Sequence, residues 1–211
     1  SILELASGTG RIGHNLYNNN PNYEGLDISK EYVDFANDKL NTVNLKKPIH
    51  CLDMRNFNLA NEYKYIFIGF NSFLHLLNDV DILKMLRCIK KHMNKKSLFY
   101  IDIFNPHPSM FNDERKDLLD FFDSRHQCKA KVYEKTDYSY ETNLISVSWE
   151  YCNQKGEIYK QFQFEMKIYY PDTINRILIE NGLQILNFWG NYKKEKFSEE
   201  SEKQIYECQL I

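Results

Sequence analysis

The first residues of the chain combine an acidic side chain with closely spaced glycines. Glu4 lies in the short apolar run Ile2–Leu5, and a loop of small residues with glycines at Gly8 and Gly10 follows it. Beyond the loop a helical pattern begins, so the segment predicts a strand, a tight turn and a helix. Glycine lets the backbone come close to a ligand, and the start of a helix offers free amide groups. The segment is therefore a candidate ligand-binding site.

Two interpretations of this loop compete. The run Gly8–Gly13 satisfies G-x-G-x-x-G, a pattern typical of dinucleotide-binding proteins. The run Glu4–Gly10 satisfies acidic-x-small-x-Gly-x-Gly, which resembles the loop that class I methyltransferases fold around S-adenosylmethionine. Asp27 follows the glycines by about 20 residues, where a carboxylate accepts hydrogen bonds from the ribose of either cofactor. Asp27 alone does not separate the two interpretations.

Glu4 favours the second interpretation. A carboxylate beside the loop repels a pyrophosphate but suits S-adenosylmethionine, which is a cation with a free ammonium group. Asp53 and Met54, at the end of a predicted third strand, offer a carboxylate for the adenine amino group and a backbone amide for a ring nitrogen. A hairpin predicted at the end of the chain also favours one seven-stranded sheet over two mononucleotide-binding halves.

Strand and helix patterns alternate through the first hundred residues. Apolar runs predict strands at 2–6, 23–27, 49–52, 65–70 and 98–104. Helical spacing predicts helices at 10–19, from Ser29 onward and at 79–93. Such alternation gives a parallel sheet with right-handed crossovers. With two further strands at 183–189 and 204–210, the sequence predicts an α/β fold: a Rossmann-like, seven-stranded, mostly parallel sheet with a closing antiparallel hairpin.

The period changes after the fifth predicted strand. From Cys128 to Ile168 apolar and polar residues alternate, which predicts an antiparallel hairpin extended to three strands. A short helix is predicted before it, around Leu118–Phe122. The roughly 65 residues involved far exceed an ordinary connection of about 2–6 residues. The sequence therefore predicts a cofactor-binding domain at 1–107 and 170–211, and an inserted antiparallel β subdomain at 108–169 that serves the acceptor side or dimerisation.

Four motifs, taken in order, carry a resemblance to a known family. They are Leu3–Arg11, Gly25–Ser29, Leu52–Met54 and Phe70–Leu76. They resemble motifs I, II and III, and the segment after strand four, of the class I S-adenosylmethionine-dependent methyltransferases. The insertion and the segment Trp189–Tyr192 resemble the small-molecule type, and the layout is similar to that of glycine and amino-sugar N-methyltransferases.

The resemblance implies a binding site for S-adenosylmethionine built from the motif residues. Its members are Glu4 toward the ammonium group, Ala6, Ser7, Gly8 and Gly10 in the loop, Arg11 toward the methionine carboxylate, Asp27 on the ribose, Ile28 on the adenine face, Asp53 and Met54 at the adenine edge, and Phe70, whose carbonyl receives the ammonium group. Gly13 is interpreted as an ordinary helix position. No metal site is expected, because the histidines show no ligand spacing.

His75, just beyond the fourth predicted strand, is the candidate catalytic residue. Histidine titrates near neutrality, so it can accept a proton from an amine or a hydroxyl. The predicted function is transfer of a methyl group from S-adenosylmethionine to a nitrogen or oxygen atom of a small polar molecule. The alternatives are a non-catalytic S-adenosylmethionine-binding module, an NAD-dependent oxidoreductase and a nucleic-acid methyltransferase.

Composition bounds the partners and the compartment. The 211 residues carry a formal net charge of −2 with scattered basic residues, so nucleic acid is not an expected partner. No apolar run approaches the roughly 18 residues of a membrane span. The five dispersed cysteines indicate a reducing, cytoplasmic location. A homodimer through the inserted subdomain is expected. A segment preceding residue 1 is also expected, because the chain starts directly in a predicted strand.

Overall fold

The computed structural model describes residues 1–17, 22–41, 49–107 and 114–211. The chain divides into two units, of which unit 1 is Ser1–Asn105 with Tyr170–Ile211 and unit 2 is Pro106–Tyr169. The predicted helix end at Asn18–Pro21 lies outside the described residues. A seven-stranded, mostly parallel sheet and a separate antiparallel sheet are present, so the predicted fold class is confirmed.

The described residues form eleven strands, numbered here in chain order. They are β1 (Ile2–Leu5), β2 (Tyr23–Asp27), β3 (Ile49–Cys51), β4 (Tyr65–Ile68), β5 (Leu98–Phe104), β6 (Lys116–Asp123), β7 (Cys128–Ser139), β8 (Leu144–Asn153), β9 (Ile158–Lys167), β10 (Leu183–Trp189) and β11 (Lys203–Leu210). The helices are α1 (Arg11–Tyr17), α2 (Lys30–Asn41), α3 (Asp79–Lys91) and α4 (Pro171–Glu180), with a 3₁₀ helix at Ser72–His75. None of these helices is long and apolar enough to cross a membrane.

The sheet of unit 1 has the order β10-β11-β5-β4-β1-β2-β3. β1 is its centre and runs parallel to both neighbours, with Ile2 opposite Tyr23 on one side and Tyr65 on the other. β11 is antiparallel to β5 and to β10, which gives the predicted closing hairpin. Because β1 to β5 are parallel, the loops that follow them lie along one edge of the sheet.

Helices of unit 1 bury their apolar faces as their sequences predict. In α3 the buried side chains recur at helical spacing and include Ile82, Leu86 and Ile89. Asn78 caps this helix, because its Oδ1 accepts a hydrogen bond of 2.9 Å from the amide of Asp81. α4 is followed by Gly182 in the left-handed conformation (φ 79°), as is typical of a helix end.

Gly13 corrects an expectation drawn from the sequence. A Cβ added to it would lie 2.5 Å from Cε1 and from the hydroxyl oxygen of Tyr23, so any side chain at this position would collide with the ring. Tyr23 is fully buried in β2. Gly13 is therefore not an ordinary helix position, since it allows α1 to pack closely on the sheet.

Unit 2 departs from the sequence prediction at its first strand. Its sheet has four strands in the order β6-β7-β8-β9 rather than three. The segment Leu118–Phe122 is part of β6 and not a helix, because it pairs with β7, with Phe121 opposite Ala130. The Phe121 ring also meets the Tyr151 ring edge-on at 6.2 Å. Pairing and packing of this kind override a weak local preference for helix.

The close approach at Gly13 predicts the effect of one methyl group on stability. We expect Gly13→Ala to lower the free energy of unfolding by about 1–3 kcal/mol, because Tyr23 has no room to move away without strain. The measurement is unfolding in urea. Gly69→Ala is the matched control, since a Cβ there would have its nearest neighbours at 3.9 Å. Equal stability of the two variants would contradict the steric explanation.

Candidate functional site

The loop after β1 approaches the sheet edge with an exposed backbone. Ala6 and Gly8 both have left-handed backbone angles, with φ values of 52° and 54°. The amide of buried Ser7 donates to the carbonyl of Leu26 at 2.9 Å, which ties the loop to β2. A Cβ added to Gly8 would meet no protein atom within 4 Å. The loop is therefore held by its hydrogen bond to β2, and the space next to Gly8 is open.

Asp27, the last residue of β2, is held in a single orientation by backbone amides. Its Oδ2 accepts from the amide of Gly8 at 2.8 Å, and its Oδ1 accepts from the amide of Ser29 at 2.8 Å. An ionised carboxylate has about four acceptor positions. The two that remain on Asp27 are available to hydroxyl groups of a ligand.

A pocket of about 170 Å³ collects residues that the sequence placed in different motifs. The predicted cofactor residues that line it are Ala6, Asp27, Ile28, Asp53 and Met54, and the candidate catalytic residue His75 lines it as well. These residues follow β1, β2, β3 and β4, whose ends share the sheet edge. Leu52 and Leu76 add apolar walls. The arrangement offers a carboxylate beside an apolar slot.

Arg55 is a residue of this pocket that the sequence interpretation missed. Its guanidinium binds the Asp53 carboxylate through Nε at 3.0 Å and Nη2 at 2.7 Å, and it also reaches Asp81 at 3.0 Å. The hydrogen bonds from Arg55 lower the pKa of Asp53 below its ordinary value. Asp53 therefore stays ionised, but most of its acceptor positions are already used. The sequence signal that could have indicated this ion pair is a carboxylate two residues before an arginine.

Glu4 lies in the middle of the sheet rather than at the pocket wall. It is 4% exposed, and the Tyr23 hydroxyl donates a hydrogen bond of 2.5 Å to its Oε2. Burial raises the pKa of Glu4 to about 7, against the lowering effects of Tyr23 and of the Arg11 charge. Tyr23 was not predicted as a partner; it lies on the adjacent strand two residues before Gly25, which is the residue opposite Glu4.

Arg11 and Phe70 lie against each other at the sheet edge. The Arg11 guanidinium is stacked 4.1 Å from the centre of the Phe70 ring, an attractive cation–π geometry. Phe70 has a left-handed backbone (φ 54°), and the residue is 60% exposed. It lines a neighbouring groove with Ile12 and Gly69 rather than the pocket that holds Asp27.

Comparison with known proteins agrees with the fold and the motifs. Residues 2–96 match the family model described as a methyltransferase domain. No curated protein sequence matches the chain.

Solved methyltransferases share the fold. An S-adenosylmethionine-dependent methyltransferase from Clostridium acetobutylicum has a TM-score of 0.82 at 24% identity, covering 99% of this chain and 83% of that one. The CcbJ methyltransferase from Streptomyces caelestis has a TM-score of 0.85 at 16% identity, covering 99% and 82%. The sugar N-methyltransferase KedS8 from a Streptoalloteichus species has a TM-score of 0.73 at 14% identity, covering 97% and 78%. The resemblance to class I methyltransferases is thus confirmed: residues 2–96 match a methyltransferase domain, and solved methyltransferases share the fold of the chain.

The buried Glu4 predicts a specific dependence of stability on pH. Its pKa is about 7 in the folded chain, against an ordinary value of 4.5. Between these values the folded state binds more protons, so the free energy of unfolding falls as the pH rises, by roughly 3 kcal/mol for this group. The stability it contributes is complete below pH 4.5 and is lost as the pH passes 7. Glu4→Gln should remove this part of the decline.

The measurement is denaturant unfolding of both proteins across that pH range. Glu31→Gln is the control, because it removes a carboxylate from an exposed position on α2. A wild-type profile parallel to that of Glu4→Gln would contradict the assignment of a raised pKa to Glu4.

Proposed function

We propose that this chain transfers a methyl group from S-adenosylmethionine to a nitrogen or oxygen atom of a small polar molecule. The observation that carries the proposal is the Asp27 carboxylate, fixed by two amides at the wall of a pocket that also contains Ile28 and Met54. This set fits an adenosine, which needs an acceptor for the ribose hydroxyls and apolar contacts for the base. When bound, S-adenosylmethionine supplies a methyl group on a sulfonium sulfur and is left as S-adenosylhomocysteine.

The proposed roles follow the chemistry of each residue. Asp27 accepts from the ribose, Ile28 packs on the adenine, and Met54 offers its backbone amide to the base. The open backbone at Gly8 allows the methionine portion to approach. Ala6 and Ser7 shape this loop and Gly10 leads from it into α1, while Asp53 contributes to the adenine edge with the acceptor capacity that Arg55 leaves.

Charges near the loop suit the amino-acid end of the cofactor. The Phe70 carbonyl receives the ammonium group, and Arg11, stacked on the Phe70 ring, faces the carboxylate. Glu4 adds negative charge beneath the loop when it is ionised. That charge would repel the pyrophosphate of a dinucleotide, which disfavours an NAD-dependent oxidoreductase.

The acceptor is proposed to be a small molecule. The chain has a formal net charge of −2, which gives no attraction for nucleic acid. A neighbour of the same fold is described as a sugar N-methyltransferase, which supports an amine or hydroxyl on a small polar compound. His75 borders the pocket and accepts the proton that the acceptor loses. Most of the rate comes from holding the acceptor in line with the transferred methyl group.

Further expectations from the sequence remain predictions. A role of the inserted subdomain in acceptor binding or in dimerisation is one, and a cytoplasmic location is another. The free thiols at all five cysteines support a reducing compartment.

Loss of the Asp27 carboxylate should weaken cofactor binding. Each hydrogen bond to a charged group contributes about 1.5–3 kcal/mol, so Asp27→Ala should raise the Kd for S-adenosylmethionine by at least about tenfold. Isothermal titration calorimetry measures it, with Asp27→Asn as a milder variant and Asp38→Ala, exposed on α2, as the control. Tight binding of NAD by the wild type, or an unchanged Kd in Asp27→Ala, would overturn the proposal.

His75→Gln tests proton transfer separately from binding. A screen of amines, phenols and transfer RNA with radiolabelled methyl donor first identifies the acceptor. We then expect kcat to fall by about 100-fold or more in His75→Gln, while the Kd for S-adenosylmethionine changes little. His50→Gln, on β3, is the control. An unchanged kcat would exclude His75 as the base, and labelling of transfer RNA alone would favour a nucleic-acid methyltransferase.

A further inference from the structure

Two consecutive residues other than glycine adopt left-handed backbone angles in the turn that follows β4 and Gly69. The φ values are 54° at Phe70 and 64° at Asn71. Asparagine tolerates this conformation, but for a bulky residue such as phenylalanine it is strained. Such strain persists only where the surroundings impose it. The turn lies at the sheet edge beside Arg11, so what imposes its shape matters for the site.

β5 holds this turn at three points. The Asp102 carboxylate accepts from the amide of Phe70 at 3.4 Å, and the Asp102 carbonyl accepts from the amide of Asn71 at 3.2 Å. In return, the Asn71 side chain accepts from the amide of Phe104 at 2.8 Å. Both left-handed residues are therefore tied to the neighbouring strand.

The Asp102 carboxylate is itself held from the C-terminal hairpin. The Tyr192 hydroxyl donates to Oδ2 at 2.7 Å, and Lys203 Nζ donates to Oδ1 at 3.2 Å. Lys203 Nζ also lies 4.8 Å from the centre of the Tyr192 ring. The Asp102 side chain is 16% exposed, so these contacts are partly shielded from water. We call Asp102, Tyr192 and Lys203 the Asp102 cluster.

The carbonyls on either side of the Phe70 carbonyl in sequence both accept hydrogen bonds from backbone amides. The Gly69 carbonyl accepts from the amide of Ser72 at 3.1 Å, and the Asn71 carbonyl accepts from the amide of Leu74 at 2.9 Å. The orientation of the peptide between Phe70 and Asn71 therefore depends on the left-handed angles that the Asp102 cluster maintains.

We propose that the Asp102 cluster positions the Phe70–Asn71 turn so that the Phe70 carbonyl meets the ammonium group of S-adenosylmethionine. The three residues are positioning residues, because they act through Phe70 and do not touch the reacting atoms. The inference rests on the proposed function, which assigns the Phe70 carbonyl to that ammonium group. It adds that the hairpin near the end of the chain sets the affinity for the amino-acid end of the methyl donor.

The test compares two ligands that differ in the aminocarboxypropyl chain on the sulfur and in the sulfonium charge that this chain creates. S-adenosylmethionine carries the ammonium group, whereas 5′-methylthioadenosine keeps the adenosine and lacks the amino acid. We expect Asp102→Asn and Lys203→Met to weaken binding of S-adenosylmethionine by about tenfold, the effect of one charged hydrogen bond. Binding of 5′-methylthioadenosine should change less than about twofold, within the scatter of independent sites. Calorimetry gives both Kd values.

Two further variants serve as a milder substitution in the cluster and as a control outside it. Tyr192→Phe removes one hydroxyl and keeps the ring, so it reports on the cluster even if Asp102→Asn fails to fold. Lys193→Met removes an exposed lysine next to Tyr192 and should bind both ligands as the wild type does. Amide hydrogen exchange adds a readout without ligand, since exchange at Phe70 and Asn71 should be faster in the cluster variants.

The outcomes separate the two proposals. Equal weakening of both ligands would show that the cluster supports the whole site, and unchanged affinities would show that it has no positioning role; either result overturns the inference. A wild-type protein that binds 5′-methylthioadenosine but not S-adenosylmethionine would instead contradict the proposed function. The inference is supported if the cluster variants lose affinity for S-adenosylmethionine alone and Lys193→Met keeps the wild-type rate of amide exchange at Phe70 and Asn71.

Discussion

A carboxylate buried in the central strand is the constraint on which the packing around the loop depends. Glu4 needs a hydrogen-bond donor inside the sheet, and the Tyr23 hydroxyl supplies it from the adjacent strand. The tyrosine in turn needs space, and the missing side chains at Gly13 and Gly25 provide it, since a Cβ on either would collide with Tyr23. One buried acid thus accounts for an aromatic residue, two glycines and the close approach of α1.

The parallel sheet explains why so much of the site could be read from the sequence. Residues that follow parallel strands meet at one edge, so finding the strand ends was enough to bring Asp27, Met54 and His75 to a common pocket. Side-chain partners were not predictable in the same way. The clamp of Arg55 on Asp53 depends on rotamers, and the bond between Tyr23 and Glu4 depends on the register of two strands.

Where prediction failed, local sequence was outweighed by distant contacts. Leu118–Phe122 has no clear period, and its pairing with β7 made it a strand. Phe70 carries no sequence signal for a left-handed backbone, because phenylalanine seldom adopts one. Its conformation follows from bonds to β5, which itself is held by residues about 100 positions further along the chain. Gly13 was misjudged because its neighbour Tyr23 lies across the sheet.

The sheet of unit 1 is completed late in synthesis, because β11 pairs with β5 from a distant part of the chain. β5 obtains its second neighbour from this strand, with Ile205 opposite Asp102. A ribosome adds about 5–20 residues per second, so the edge of β5 stays open for roughly 5–20 s after it emerges. An open edge can pair with other chains. The edge of β5 therefore stays unpaired during synthesis until Lys203–Leu210 add β11 to the sheet.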